Sequence, residues 1–301
     1  MFDENRLRVF AAIAREGSVT AAAAALHYAQ PTVSHHLARL EAEAGVPLVQ
    51  RAGRGIRLTE AGRLLADRAE EILGRIDSAR TELAAHAGLS AGRVRLAAFP
   101  SALATVVPTV AAAFGTAHPD IELALTEAEP PEALAALRRG EVDVAFTFHH
   151  GDGPPGDREG HTVTPILHEP LYVVGRAGAS WPGPPTDLDT YRGQRWIAGC
   201  ERCRTHLLSA CGKRGFTPEV AFETDDYVAA QALVAAGLGV TTLPGLALRA
   251  HRHPDVRIDR LPDDHRFVDA VVYGAPPLAA PIEAFLRVLA DTAVEPVPWP
   301  E

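Results

Sequence analysis

Apolar positions at the start of the chain recur at helical spacing. Leu7, Val9, Phe10 and Ile13 form one face of a short amphipathic helix that ends near Gly17. Ser18 is placed to cap a second helix, its hydroxyl accepting from a free first-turn N–H. Within that helix Ala21–Ala25 lets a neighbour approach closely, and Leu26 supplies a buried knob. His27-Tyr28-Ala29-Gln30 reads as a corner, after which Pro31 opens a third helix at a position where its missing N–H costs nothing. Val33, Leu37, Leu40 and Ala44 then make an inward stripe. That leaves Thr32, His35, His36 and Arg39 on the outer face, with Ser34 at its edge. Gly45-Val46-Pro47-Leu48 turns the chain, and Arg51–Leu58 alternates about a glycine turn, predicting a hairpin lined by Arg51, Arg54 and Arg57.

Thr59 is placed to cap a longer helix with Glu60 in its first turn. Leu58, Gly62, Leu65, Ala69, Ile72, Ile76, Ala79 and Leu83 step alternately by 4 and 3, a heptad seam that ends at Gly88. Such a stripe can pack on its own domain. Its place between two units, with Arg and Glu on the other faces, favours a dimerising linker.

After Gly92 the pattern changes to strands alternating with helices. Strands are expected at Val94–Phe99, Ile121–Thr126 and Val142–Phe148, and helices at Leu103–Phe114 and Glu132–Arg139. His149–Gly160 reads as a surface loop, and Pro165–Gly175 crosses into a second unit. That unit holds strands Gln194–Gly199, Glu219–Glu223 and Gly239–Leu243, and helices Arg204–Lys213 and Asp225–Ala236. Strand Phe267–Tyr273 and helix Pro281–Asp291 return to the first unit. Two α/β lobes joined by two crossing strands make a ligand-closing clamp.

Charge sharpens this division. Residues 1–58 carry seven Arg against five Asp/Glu, whereas the remainder takes the chain to a net charge of −9. A mildly basic head on an acidic body suits a localised contact with DNA. Lys213 is the only lysine, so phosphate contacts must come from Arg, hydroxyls and backbone N–H groups. No apolar run is long enough to span a membrane, and Met1 leads into FDENRLR, so a cytoplasmic protein without a membrane partner is expected. Its three cysteines are then expected to be reduced.

Residues 18–62 resemble the winged helix-turn-helix of LysR-type transcriptional regulators, almost position for position. The matching landmarks include Thr20-Ala21-Ala22-Ala23, Leu26, Gln30-Pro31-Thr32-Val33-Ser34, Leu40-Glu41, Gly45-Val46-Pro47-Leu48, Arg51 and Leu58-Thr59-Glu60-Ala61-Gly62. His35-His36 departs from the family, where Arg or Gln is more usual at the first position, so the operator sequence does not carry over. The resemblance implies an α-helical winged helix-turn-helix over 1–58 and a linker helix over 59–88. It implies an α/β two-lobed, periplasmic-binding-protein-like effector domain over 91–301. Lobe 1 is expected at about 91–164 and 268–301, and lobe 2 at about 165–267.

The same resemblance implies DNA contacts from Gln30, Thr32, Ser34, His35 and Arg39 on the recognition helix, and from Arg51 and Arg54 on the wing. Its partners would be double-stranded operator DNA and further copies of itself, a dimer through the linker helix or a tetramer, with RNA polymerase a candidate. An unidentified small-molecule effector takes the place of a cofactor. A ligand in such a cleft sits at the carboxyl ends of strands, near helix N-termini. By family position Ser101, Thr147, Glu201 and Thr224 are the expected contacts, and Glu201, Asp225 and Asp226 argue against a bare aromatic carboxylate.

One constellation offers an alternative: Cys200-x2-Cys203-x2-His206-x4-Cys211, read as core packing, a thiol-redox switch or a metal sensor under the same DNA-binding head. Arg202 and Arg204 would favour thiolate there. Paired histidines at His149-His150 and at His251 and His253 read as solvated loop residues. With no nucleophile elbow, P-loop or dinucleotide glycine pattern, no enzymatic activity is expected.

Overall fold

The computed structural model describes residues 3–52, 55–86, 92–151, 160–180 and 187–292. Helix α1 (Glu4–Glu16) starts at Asp3, whose carboxylate accepts from the Asn5 and Arg6 N–H groups. It stops at Gly17, where φ is 67° and only glycine sits without strain. Ser18 caps α2 (Val19–Ala25), accepting from Ala21 N–H at 3.0 Å. Helix α3 (Gln30–Ala44) carries Pro31 in its first turn. Leu7, Phe10, Ile13, Ala22, Val33, Leu37 and Leu40 are buried against one another, as their spacing predicts.

The wing is a hairpin of β1 (Val49–Ala52) and β2 (Gly55–Leu58), with Arg51 opposite Ile56. Its turn, and Arg54 with it, lies outside the described residues. Glu41 fastens the wing to α3: its Oε1 accepts from Leu48 N–H at 2.8 Å and Val49 N–H at 3.2 Å.

Helix α4 (Glu60–His86) starts at Thr59, whose hydroxyl accepts from Gly62 N–H at 2.9 Å and donates to the Pro47 carbonyl at 2.8 Å. The expected seam divides along this helix. Leu65 and Ala69, with Ala66 and Leu73, pack into the head, whereas Ile72 and Leu83, with Leu64, are exposed. A strict 3.5-residue repeat drifts by ~20° per heptad on a 3.6-residue helix, so one row faces inward early and outward later.

In the body come β3 (Arg93–Ala98), α5 (Pro100–Leu103), α6 (Val106–Ala117), β4 (Glu122–Glu127), α7 (Pro130–Arg138) and β5 (Val144–His150). The helix expected over Leu103–Phe114 is therefore two. Pro108 is tolerated only in a first turn, so the chain breaks at Thr105 and restarts. The second set is β6 (His161–Arg176), a 3-10 turn (Leu188–Tyr191), β7 (Arg195–Ala198), α8 (Glu201–Lys213), β8 (Glu219–Glu223), α9 (Tyr227–Ala235), β9 (Val240–Pro244) and α10 (Gly245–Ala250). Strand β10 (Val256–Tyr273) and α11 (Ala280–Asp291) complete the described chain.

The body strands run in the order β4-β3-β5-β10-β6-β9-β7-β8. β3 lies parallel to β4 and β5, and β7 parallel to β8 and β9, giving two parallel halves. Antiparallel β6 and β10 join them, paired with each other from Val256↔Arg176 to Tyr273↔His161. β10 is far longer than the expected Phe267–Tyr273. Pro262-Asp263-Asp264 reads as a turn but forms an irregularity within the strand, between Leu261 and His265. Phe285 of α11 packs with Phe114 and Phe146, returning the chain end to the first half.

The junction of wing and linker is close-packed: a Cβ on Gly62 would lie 2.0 Å from the Leu48 carbonyl oxygen. Gly62→Ala is expected to destabilise the protein by about 1–3 kcal/mol in urea denaturation. An unchanged unfolding midpoint would show that this junction has room to spare.

Candidate DNA interface and effector cleft

On α3 the inward stripe leaves Gln30, Thr32, His35 and Arg39 exposed and Ser34 half-buried at the edge. Gln30 Nε2 donates to Ser34 Oγ at 3.2 Å, one turn apart, so the two form a single polar step. Tyr28 is exposed in the corner, with its ring stacked on His36. Arg51 and Arg57 project exposed from the hairpin. Short polar groups stand at the N-terminal half of a helix, and arginines stand on a neighbouring wing. That arrangement suits base edges in a major groove and the adjoining phosphates.

The second site lies where the two body halves meet. Arg266 of β10 and Glu169 of β6 face each other, both buried. Arg266 Nε donates to Glu169 Oε1 at 2.7 Å, and Nη2 donates to Ser101 Oγ at 3.0 Å. The guanidinium lies 4.6 Å from the Phe148 ring centre and 4.9 Å from that of Phe99, both within cation–π range. The other Glu169 oxygen accepts from Leu246 N–H at the start of α10. Above this pair is a narrow cavity of about 60 Å³, lined in part by Ser101, Glu129, Phe148, Cys200, Thr224 and Arg266. Such a volume holds a few waters, so a ligand of ordinary metabolite size requires the halves to part.

Ser101, Glu129 and Thr224 each follow a parallel strand and precede or open a helix, where strand ends and helix N-termini converge. Of the expected effector contacts, the structure brings Ser101 and Thr224 to the cavity. Thr147 and Glu201 are off its lining. Side chains alternate along β5, so Phe148 faces the cavity and Thr147, opposite Asp269, points the other way. Glu201 opens α8 in an exposed position. Sequence reasoning missed Glu129 and Arg266. Glu129 was reachable by the strand-end rule that found Ser101. Arg266 was hidden because its segment, Asp263-Asp264-His265-Arg266, looks like a polar turn.

Burial pushes the Glu129 carboxyl up from its ordinary range; Asp225 reinforces the shift and Arg266 opposes it. Its Oε2 is buried and has no hydrogen-bond partner among the described residues. The His149-His150 pair is not in a solvated loop. Both residues belong to β5, half-buried, because the strand runs two residues past its expected end. His150 stacks on His206 at 4.1 Å, and burial, reinforced by His206, lowers its pKa to about 2. His206 is bound through Nε2 to both Asp264 oxygens, at 2.8 and 2.9 Å. His251 and His253 do sit in a connecting segment but are half-buried, the His253 N–H donating to Gln231 Oε1 at 2.9 Å. Among the described residues no group of three or more His, Cys, Asp or Glu is arranged to hold a metal ion.

Comparison with known proteins follows this division. Residues 5–63 match the model of the bacterial regulatory helix-turn-helix protein, lysR family, and residues 87–294 match that of the LysR substrate binding domain. The chain belongs to the LysR family. This LysR-type transcriptional regulator thus pairs a DNA-binding head with an effector-binding domain. It is 30% identical over 283 residues to a probable cat1 operon transcriptional activator of Acinetobacter lwoffii, covering 90% of this chain and 88% of the relative. Over 265 residues it is 32% identical to the HTH-type transcriptional regulator TfdS of Cupriavidus pinatubonensis, covering 86% and 87%. Similar solved structures are the LysR family regulator CbnR, at TM-score 0.66 and 23% identity over 98% of this chain and all of CbnR, and a full-length OxyR variant from Pseudomonas aeruginosa. The OxyR variant also gives a TM-score of 0.66, at 24% identity over 97% and 94% of the two chains.

The buried pair and the buried histidine give two expectations. Arg266→Met leaves Glu169 as an uncompensated buried charge and is expected to cost about 3–5 kcal/mol in urea denaturation; a loss below about 1 kcal/mol would show that Glu169 finds another partner. His150 stays neutral when folded but takes up a proton when unfolded below its ordinary pKa of 6.5. Stability therefore falls as pH drops from 6.5 towards 2, by about 2 kcal/mol between pH 7 and pH 5. His150→Phe is expected to abolish that share of the loss. An identical pH dependence in the variant would assign it to other groups.

Proposed function

We propose that this regulator reads a double-stranded operator with Gln30, Thr32, Ser34, His35 and Arg39 of α3, while Arg51 and Arg54 hold the phosphates. The observation that carries the reading is the exposed polar row on α3 beside a wing pinned to the same helix through Glu41. A solved CbnR structure contains its target DNA, which supports the same use of the fold here. Arg57 is exposed too, but it lies opposite Gln50 while Arg51 lies opposite Ile56, so the two arginines stand on different faces of the hairpin.

Two copies associate through α4, whose exposed Leu64, Ile72 and Leu83 suit a second helix, and the pair of heads then meets two half-sites. Higher assembly to a tetramer is part of the same reading. A small effector enters between the body halves and contacts Ser101 and Thr224, with Glu129 and Arg266. Closure or opening around it alters the spacing of the heads, the bend of the DNA and the access of RNA polymerase. The ligand is bound and not turned over. Among the described residues no helix is long and apolar enough to cross a membrane, and we place the protein in the cytoplasm beside its DNA.

Fluorescence anisotropy with a DNA fragment from upstream of the gene is expected to show sequence preference and a steep loss of affinity with salt. Arg39→Ala and Ser34→Ala are each expected to weaken binding by about tenfold or more without changing the unfolding midpoint. Affinity that ignores sequence, or is untouched by both substitutions, sinks the recognition-helix assignment. Ile72→Glu is expected to reduce the assembly measured by analytical ultracentrifugation; an unchanged mass would place the interface elsewhere.

A further inference from the structure

Cys200 and Cys203 both line the effector cavity, and their sulfurs are 3.1 Å apart. A disulfide spans about 2.05 Å, so closing the bond asks for a movement of about 1 Å. Both stand at the start of α8, Cys200 at the capping position and Cys203 in the first turn, where the helix dipole favours a thiolate. Gly199 permits this crowding: a Cβ there would lie 3.2 Å from the Cys203 Cβ.

The two thiols are unlike. The hydrogen bond shared with the Cys203 sulfur, aided by the Cys203 N–H and opposed by burial, holds Cys200 below the usual thiol range. Cys203 is pushed well up by that same bond and by burial. Arg202 and Arg204, expected to favour a thiolate, are otherwise engaged. Arg202 donates to the Phe148 carbonyl at 3.0 Å, and Arg204 pairs with Glu223 at 2.9 Å. Cys211 is buried in the second half of the body, its thiol pushed up to about 11 by burial. His206 is committed to Asp264. The four-residue constellation is therefore not assembled, but a dithiol within it is.

We propose that Cys200 and Cys203 are an oxidisable dithiol inside the effector cavity, closed to an intramolecular disulfide by a small hydroperoxide. The narrowness of the cavity favours a reagent of that size over a bulky disulfide. Cys200 thiolate attacks one peroxide oxygen and the O–O bond breaks. The other oxygen leaves, takes up a proton as alcohol or water, and Cys200 becomes a sulfenic acid. The Cys203 sulfur then displaces that hydroxyl, which leaves with the Cys203 proton as water. Two thiols and one hydroperoxide give one disulfide, one alcohol (water, from hydrogen peroxide) and one water. The sulfurs give up two electrons and the peroxide oxygens receive them.

The proposal does not rest on the DNA-binding reading, because the test reads the bond itself. Reduced full-length protein is treated with hydrogen peroxide, alkylated with iodoacetamide and analysed by peptide mass spectrometry. Most of the peptide carrying Cys200 and Cys203 is expected to lose two hydrogens and escape alkylation, with Cys211 still alkylated. Cys203→Ser is expected to stop at a sulfenic acid on Cys200, captured by dimedone. Cys211→Ser is expected to leave the linkage unchanged, which keeps the test decisive if Cys203→Ser does not fold. Peroxide that leaves both thiols alkylatable, or that joins Cys211 to either of them, overturns the assignment.

Discussion

A charge buried between two strands has to be met in place, and Arg266 is met by Glu169. Moving such groups out of water costs several kcal/mol each, so neither is tolerated without the other and further hydrogen bonds. The structure supplies two such bonds, from Ser101 Oγ in the first half of the body and from Leu246 N–H in the second, and the Phe99 and Phe148 rings of the first half add cation–π contacts to Arg266. The pair therefore fixes where β6 and β10 cross and shapes the cavity floor. It also neutralises its own charge. A ligand meets a guanidinium already engaged by a carboxylate, with Glu129 and Asp225 nearby. This extends the expectation that a bare carboxylate is a poor match for the cavity.

The head was legible in the sequence because each of its devices is local. Gly17, Ser18, Pro31 and Thr59 act within a few residues of themselves, and each stops or starts a helix where its chemistry predicts. The crossing strands were harder. A buried parallel strand is announced by an apolar run, as at Val144–Phe148, whereas β10 is interrupted by Pro262-Asp263-Asp264 and keeps its course through pairing with a distant strand. Arg266 and Glu169 were invisible for the same reason. They are 97 residues apart, and nothing near either of them declares the partner.

Linker and wing show how one feature can be read correctly and still be assigned incompletely. Alternating steps of 4 and 3 identified the helix, yet its apolar row packs on the head at Leu65 and Ala69 and is exposed at Ile72 and Leu83. Burial of Ala66, Ala69 and Leu73 against the head makes the first half of α4 part of the DNA-binding unit. Farther along, Gly74 lies against the Arg139 backbone, where a Cβ would be 2.3 Å from its carbonyl. Tyr273 donates to Glu71 Oε1 at 2.7 Å, and Arg75 lies 4.0 Å from the Tyr273 ring centre.

That last contact gives β10 a mechanical meaning. Arg266 at the cavity floor and Tyr273 at the linker helix are on one strand, seven residues or about 23 Å apart. Between them the strand is hydrogen-bonded to β5 from Arg266 to Val272, and to β6 with one shift of register between Val268 and Asp269. The cavity floor and the linker helix thus share one short length of backbone, so the cleft and the helix that carries the head are joined along a single strand and not through side-chain contacts alone.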